Sequence, residues 1–261
     1  GRRLDVKGLT FAYPGTPETP VLRDVSFSVE PGETLGIFGL TGAGKSTLLD
    51  VLARVHDPPP GAVLLDGVDV RQLAIRDYWA DVAYVLQEPF LFSQSIRSNV
   101  ALGSSVGGGD PARIDEAVED AALTGDLPSL ADGLDTVVGE RGITLSGGQR
   151  QRSALARAFY RDYRVLLLDD VLSAVDHATE RRLIDAIYRR GAASTAIVVS
   201  HRVSVLRRAD RIVVLDEGRL VDEGSHEDLI ARVEGPYARA WALQQAQTAL
   251  EEADARGSDV G

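Results

Sequence analysis

The eight residues Gly39-Leu40-Thr41-Gly42-Ala43-Gly44-Lys45-Ser46 restrict the fold of this chain more than any other stretch. They fill the pattern G-x-x-x-x-G-K-[ST] in full. Before them lies the apolar run Thr34-Leu35-Gly36-Ile37-Phe38, which reads as a buried strand, and after them Ser46 to Arg54 reads as a helix. A glycine-rich turn in that setting lets backbone N–H groups close on an anion, and the helix N-terminus adds roughly half a positive charge. The fitting anion is a nucleotide phosphate. Lys45 would reach the β- and γ-phosphates and the Ser46 hydroxyl would coordinate Mg²⁺. Lys45 is one of two lysines in the chain, the other being Lys7.

The rest of the sequence supplies the surroundings such a loop needs. Val82 to Leu86, Val165 to Leu168 and Thr195 to Val199 are further candidate buried strands, and Val25, Phe27 and Val29 alternate as on a half-buried one. Helical patterns at Ile114 to Leu123, Gly147 to Tyr160 and Thr179 to Arg190 fall between them. Alternating strands and helices predict an α/β fold with a mainly parallel sheet and right-handed crossovers. From about 95 to 145 no strand is evident, so that stretch, with the helix that runs on to 160, reads as a helical subdomain inserted in the α/β core. Pro58-Pro59-Pro60-Gly61 is a turn. Val213, Leu215 and Leu220 suggest a late hairpin turning at Asp216-Glu217-Gly218-Arg219. The glycine-rich stretch Gly103 to Gly109 reads as a flexible loop. About 236–261 reads as a final helix followed by a disordered tail from about Arg256.

Composition narrows the partners. The 261 residues suffice for one large domain. A net charge of −11 disfavours nucleic acid, whose binders neutralise phosphates with basic surface. Cysteine is absent, which excludes disulfides and thiolate metal sites. No apolar run approaches the length of a membrane-spanning helix. The chain has no methionine, even at position 1, and reads as a piece of a longer or processed protein from which membrane segments could be missing.

Two further features carry chemistry. Asp169 ends the buried run Val165-Leu166-Leu167-Leu168. Alone it would read as a turn or helix-capping aspartate. Beside a phosphate loop, a carboxylate at the end of a strand can hold Mg²⁺ directly or through water. Leu145-Ser146-Gly147-Gly148-Gln149 opens a helix with Ser146 as its N-cap, and the Ser146 hydroxyl and glycine N–H groups could form a second anion site.

Together these stretches resemble the ATPase domain of ATP-binding cassette (ABC) transporters over about Leu4 to Trp241. The resemblance implies a P-loop NTPase core with an N-terminal antiparallel β region and a helical subdomain, all in one cassette. Its implied ligands are ATP and Mg²⁺. ATP would be contacted by Gly39, Leu40, Thr41, Gly42, Ala43, Gly44, Lys45, Ser46 and Thr47, and by Tyr13, which resembles the aromatic that stacks on adenine. By sequence alone Tyr13 reads equally well as a strand-end tyrosine. Ser146, Gly147, Gly148 and Gln149 match the signature that closes over ATP held by a second cassette, and Asp176 in Ser173-Ala174-Val175-Asp176 matches the D-loop at that dimer interface. Gln87 matches the Q-loop glutamine and would join Ser46 and Asp169 around Mg²⁺. His201 matches the switch histidine that contacts the γ-phosphate. Asp170, His201, Gln87 and Lys45 are thus the implied catalytic set.

The stretches Phe92 to Val100 and Val138 to Gly142, including Glu140, look exporter-like. Glu140 reads equally as a solvated loop acid. The implied partners are a second cassette and the transmembrane domains of an exporter, fused N-terminally, with the cassette on the cytoplasmic face of the membrane. One position departs from the pattern. The residue after the Mg²⁺-binding aspartate is usually a glutamate, and here it is Asp170, shorter by one C–C bond or roughly 1.5 Å. That predicts a weakly hydrolytic site, as in the degenerate subunit of a heterodimeric exporter. Three rival functions stand against this expectation: a soluble ABC ATPase acting on chromosomes or ribosomes, an importer ATPase, and a module that senses ATP without turnover.

Overall fold

Three of the apolar runs read as strands, Thr34 to Phe38, Val165 to Leu168 and Thr195 to Val199, are buried on both sides, and this divides the protein into two cores. The computed structural model describes residues 1–102, 109–139, 145–172 and 175–258. The expectations for most of the glycine-rich stretch, for Glu140, and for Ser173 and Ala174 fall outside the described residues.

In chain order the elements are β1 (Leu4–Phe11), β2 (Leu22–Val29), β3 (Thr34–Phe38), α1 (Lys45–Leu52), β4 (Val63–Leu65), β5 (Val68–Asp69), α2 (Ile75–Asp81), β6 (Val82–Val85), α3 (Ile96–Val100), α4 (Pro111–Asp120), α5 (Gly147–Tyr160), β7 (Val165–Asp169), α6 (His177–Gly191), β8 (Thr195–Ser200), α7 (Val203–Leu206), β9 (Arg211–Asp216), β10 (Arg219–Gly224), α8 (His226–Ala231) and α9 (Pro236–Ser258). Four strands form an antiparallel sheet in the order β2-β1-β4-β5. Six form the second sheet, β10-β9-β3-β8-β7-β6, parallel except for the edge strand β10.

Successive side chains of a strand point to opposite faces. On β3 and β7, Leu35, Ile37, Val165 and Leu167 therefore pack toward the antiparallel sheet and α1, while Phe38, Leu166 and Leu168 pack toward α4, α5 and α6. All five residues of β7 are buried. A strand covered on both faces has no reason to alternate in polarity, which explains the unbroken apolar run. Truncating Leu167 to alanine would cost ~2–5 kcal/mol through lost burial and the cavity left behind.

Between β6 and β7 the chain is helical, with one isolated bridge, Ser95 to Val137, among the described residues. This part is tied to the segment after β6 by a buried polar joint. Asn99, fully buried, donates to the Phe92 carbonyl and accepts from the Phe92 N–H. Arg157 of α5 donates to Asn99 Oδ1 at 2.7 Å, to the Asn99 carbonyl at 2.9 Å and to the Phe90 carbonyl at 2.9 Å. Burial pushes the Arg157 guanidinium down to about 10. Gln151 of the same helix donates to the Leu86 carbonyl at 3.1 Å.

The last helix, α9, begins at Pro236, where the sequence places a final helix, and runs to Ser258. Its composition is rich in Ala, Gln, Leu and Glu, all strong helix formers, and carries the helix on. The start of α9 is anchored by packing. Tyr237 is fully buried against Phe38 at 5.2 Å between ring centres and hydrogen bonds to His226 Nδ1. No helix among the described residues is long and apolar enough to cross a membrane.

Candidate functional site

The C-terminal ends of β3, β8, β7 and β6 lie side by side at one edge of the large sheet. Each carries a residue singled out in the sequence. The glycine-rich loop leaves β3, His201 follows β8, Asp169 and Asp170 end β7, and Gln87 stands just past β6. An open parallel sheet binds its ligand at such an edge.

The loop itself is shaped by close approaches. A Cβ on Gly39 would lie 2.5 Å from the Leu215 carbonyl oxygen, so only glycine fits. Gly44, the N-cap of α1, has φ near 100°, a left-handed conformation that lets the chain turn directly into the helix. The turn between β9 and β10 braces the loop, with the Gly218 N–H donating to the Ala43 carbonyl at 3.0 Å. Lys45 Nζ donates to the Leu40 carbonyl at 2.9 Å, so the ammonium bridges the two ends of the loop. Leu40, Thr41, Gly42 and Ser46 are exposed, while Ala43 and Thr47 are buried.

Opposing charges meet here in a poorly solvated setting. Burial holds the Lys45 ammonium below its ordinary value, against the pull of Asp170 and Asp169. Burial likewise pushes the Asp169 carboxyl above the usual range. Asp170 and Asp50 push it the same way, and the Ser46 hydroxyl, hydrogen bonded to it, works against the shift. Asp50 is fixed by Tyr84, whose hydroxyl donates to Oδ1 at 3.0 Å. Among the described residues no group of three acids or histidines is arranged to hold a metal, so a divalent cation here would take Asp169 and the Ser46 hydroxyl together with ligands from outside the chain, such as phosphate oxygens.

Asp170 is turned into the sheet edge. It is 7% exposed and sits at φ 45°, a left-handed conformation that aspartate tolerates better than most residues. Both of its carboxylate oxygens are engaged. Ser200 Oγ donates to Oδ1 at 3.1 Å, and His201 Nδ1 lies 2.6 Å from Oδ2. With Nδ1 facing this carboxylate, Nε2 is the ring nitrogen left free to meet a ligand. The Ser200 hydroxyl also accepts from the Arg202 N–H at 3.1 Å, which fixes the loop between β8 and α7.

The other sequence-predicted residues are placed less centrally. The Tyr13 hydroxyl is 2.9 Å from Thr47 Oγ1, and its ring packs edge-on against Phe11 and His56. Gln87 is exposed. Ser146 is the N-cap of α5 in a reciprocal capping box with Gln149, and both Ser146 and Gly147 are exposed. Those bonds stay within α5, while Gln149 also reaches Asp126 at 3.5 Å. Asp176 caps α6, accepting from the Ala178 and Thr179 N–H groups and the Thr179 hydroxyl, and these bonds hold its carboxyl below the usual range.

Two polar residues at this edge escape sequence reasoning. Ser200 could have been suspected from its place beside His201. Gln244, on α9, contacts the same loop and has no local signal at all.

A parallel sheet with a phosphate loop at its centre strand and paired aspartates two strands away defines a nucleotide-binding domain of the P-loop class. The comparisons define it further. Residues 22–173 match the ABC transporter family, and the chain belongs to that family as an ATP-binding, ATPase-type domain. It is 43% identical over 241 residues to the ATP-dependent lipid A-core flippase of Pseudomonas fluorescens (strain Pf0-1), covering 92% of this chain and 40% of that protein. It is 38% identical over 242 residues to ABC transporter B family member 21 of Arabidopsis thaliana, covering 93% of this chain and 18% of the relative. The solved structure of a bacterial Atm1-family ABC exporter with ATP bound superposes with a TM-score of 0.87 at 36% identity, over 94% of this chain and 42% of that one. The chain thus spans about 40% of the length of the flippases it matches.

Proposed function

We propose that this chain is the ATP-driven half of an exporter. It binds Mg-ATP on its phosphate loop and pairs head-to-tail with a second cassette, whose signature closes over that nucleotide. Membrane-spanning segments outside this chain would be moved by the cycle at the cytoplasmic face, in line with relatives named as an ATP-dependent flippase and an exporter. The observation that carries the reading is the sheet edge, where Lys45, Ser46, Asp169, Asp170, Gln87 and His201 come from four neighbouring strands.

In this reading the loop's N–H groups and Lys45 bind the β- and γ-phosphates, and Tyr13 supports the adenine. Ser46 and Asp169, with Gln87 nearby, would hold Mg²⁺, which neutralises charge on the phosphates. His201 contacts the γ-phosphate, oriented by Asp170. Ser146, Gly147, Gly148, Gln149 and Asp176 face the other cassette. Exposure of Ser146 and Gly147 at the N-terminus of a helix suits a γ-phosphate delivered by a partner.

Asp170 makes this site a weak hydrolase. A base that polarises water needs an oxygen aimed at it, and both Asp170 oxygens are already held by Ser200 and His201. The same observation supports a second reading, in which this site chiefly holds ATP while the partner's site, completed by this chain's signature, turns over. Sedimentation with and without Mg-ATP tests the sandwich. The expected result is a monomer that pairs only with nucleotide. A stable nucleotide-free dimer joined away from Ser146 would overturn it.

A further inference from the structure

The C-terminal helix reaches the nucleotide edge through one side chain. Between Ala242 and Leu250, α9 is exposed except at Gln244, which is half-buried. The Gln244 amide makes two bonds to the backbone around the switch histidine. Its Oε1 accepts from the Val203 N–H at 2.9 Å, and its Nε2 donates to the His201 carbonyl at 3.1 Å. The first bond replaces a missing cap. Val203 is the first residue of α7, and Arg202, at the N-cap, makes no side-chain capping bond. Helix N-termini leave N–H groups that need such partners. The second bond holds the main chain of His201 itself.

We infer that Gln244 is a positioning residue for His201, by which docking of the C-terminal helix sets the switch loop for hydrolysis. This rests on the reading of His201 as the γ-phosphate contact. The loop is fixed from both sides. Ser200 and the His201 ring are tied to Asp170 at the end of β7, and the His201 carbonyl and Val203 N–H are tied to α9. The α9 side is itself rigid, since Tyr237 is buried against Phe38, the last residue before the phosphate loop, and Trp241 packs on His226. Both ends of α9's contact therefore lie beside the nucleotide edge. Without the Gln244 amide, the His201 ring would keep its bond to Asp170 while its carbonyl lost the bond to α9. A shift of about 1 Å at a catalytic group costs roughly a hundredfold in rate, so partial loosening should be visible kinetically without unfolding the chain.

The test compares Gln244→Ala, Gln244→Glu and Gln245→Ala in the chain labelled with ¹³C-histidine. The His201 imidazole signal, assigned by its loss in His201→Gln, is read first without nucleotide. Fluorescent-ATP affinity follows, and then single-turnover ATP hydrolysis in complex with a partner cassette whose own catalytic glutamate is changed to glutamine. The expected result is a displaced His201 signal in Gln244→Ala and hydrolysis lower by about tenfold, with ATP affinity within about twofold of the parent. Gln244→Glu keeps an acceptor for Val203 but sets a carboxylate against the His201 carbonyl, and should displace the signal as well. Gln245→Ala, one residue along on the exposed side, should match the parent. An unmoved His201 signal in Gln244→Ala would overturn the inference, and so would an equal loss in Gln245→Ala. If the parent chain binds no ATP, the ATPase reading fails while the nucleotide-free signal still judges the clamp.

Discussion

Replacing Asp170 with glutamate should raise hydrolysis at the site built on this chain's phosphate loop. Asp170 is shorter than glutamate by roughly 1.5 Å, and its two oxygens are turned to Ser200 and His201, at 3.1 Å and 2.6 Å. A misplacement of about 1 Å at a reacting group costs around a hundredfold, or ~2.7 kcal/mol of barrier, which sets the upper limit of the gain. The substitution has a stability cost. It disturbs two hydrogen bonds to a buried carboxylate, each worth ~1.5–3 kcal/mol when one partner is charged. It also puts a longer side chain at a backbone φ of 45°. Asp170→Glu should therefore melt several degrees below the parent, at about 2–4 °C per kcal/mol for a domain of this size, while turning over faster. The assay is single-turnover ATP hydrolysis in complex with the partner cassette, whose own catalytic glutamate is changed to glutamine to silence the other site. The gain requires an intact partner signature; where that is altered, it should emerge only once the signature is repaired. Asp170→Asn serves as the control that keeps length and removes charge. If the parent already turns over at the rate of Asp170→Glu in that background, the idea of a weak site is wrong.

Lys45→Ala should weaken ATP binding at least tenfold, measured by fluorescent-nucleotide titration, because no other lysine reaches the loop; unchanged affinity would remove the phosphate-loop assignment. Ser146→Arg should impair hydrolysis at the partner's site more than at this chain's own, since it fills the exposed N-terminus of α5, and near-normal turnover of the assembled pair would contradict that role. Asp169→Asn should abolish Mg-dependent tightening of ATP yet stabilise the nucleotide-free chain at neutral pH. Asp169 has a folded-state pKa raised by burial, so its favourable contribution is present below the unfolded value near 3.9 and is lost as pH rises through the folded one. Melting curves at pH 7 and pH 4 check this: the variant should gain about 2–4 °C at pH 7, the equivalent of ~1 kcal/mol, and little at pH 4.

Elements covered on both faces were the ones legible in the sequence. Thr34 to Phe38 and Gly147 to Tyr160 match β3 and α5 residue for residue, because a buried strand and a capped amphipathic helix leave unmistakable local patterns. Strand β1 was harder to read. Its pairing with β2 shifts register between Val6 and Leu9 and again between Leu9 and Phe11, which breaks the period of two. Within the site, the contiguous motifs were legible and the roles that depend on tertiary contact were not. The place of Ser200 beside His201 hints at the site but not at its bond to Asp170, 30 residues away, and Gln244 meets His201 across 43. The fate of the Asp170 oxygens also needed the structure, because sequence gives a side chain's length and not its direction.

In the proposed pairing of two cassettes, the joint of Asn99 and Arg157 would make α5 a lever. Arg157 lies near the C-terminal end of α5 and holds the carbonyls of Phe90 and Asn99, while Ser146 stands at the far end. Eleven residues of helix separate Arg157 from Ser146, about 16 Å of rigid rod. A swing of about 10° at the joint would carry Ser146 by about 3 Å, roughly the length of one hydrogen bond to a phosphate oxygen. In that pairing, a slight displacement of the segment around Phe90 and Phe92 would be magnified at the end of the helix that a second nucleotide would meet.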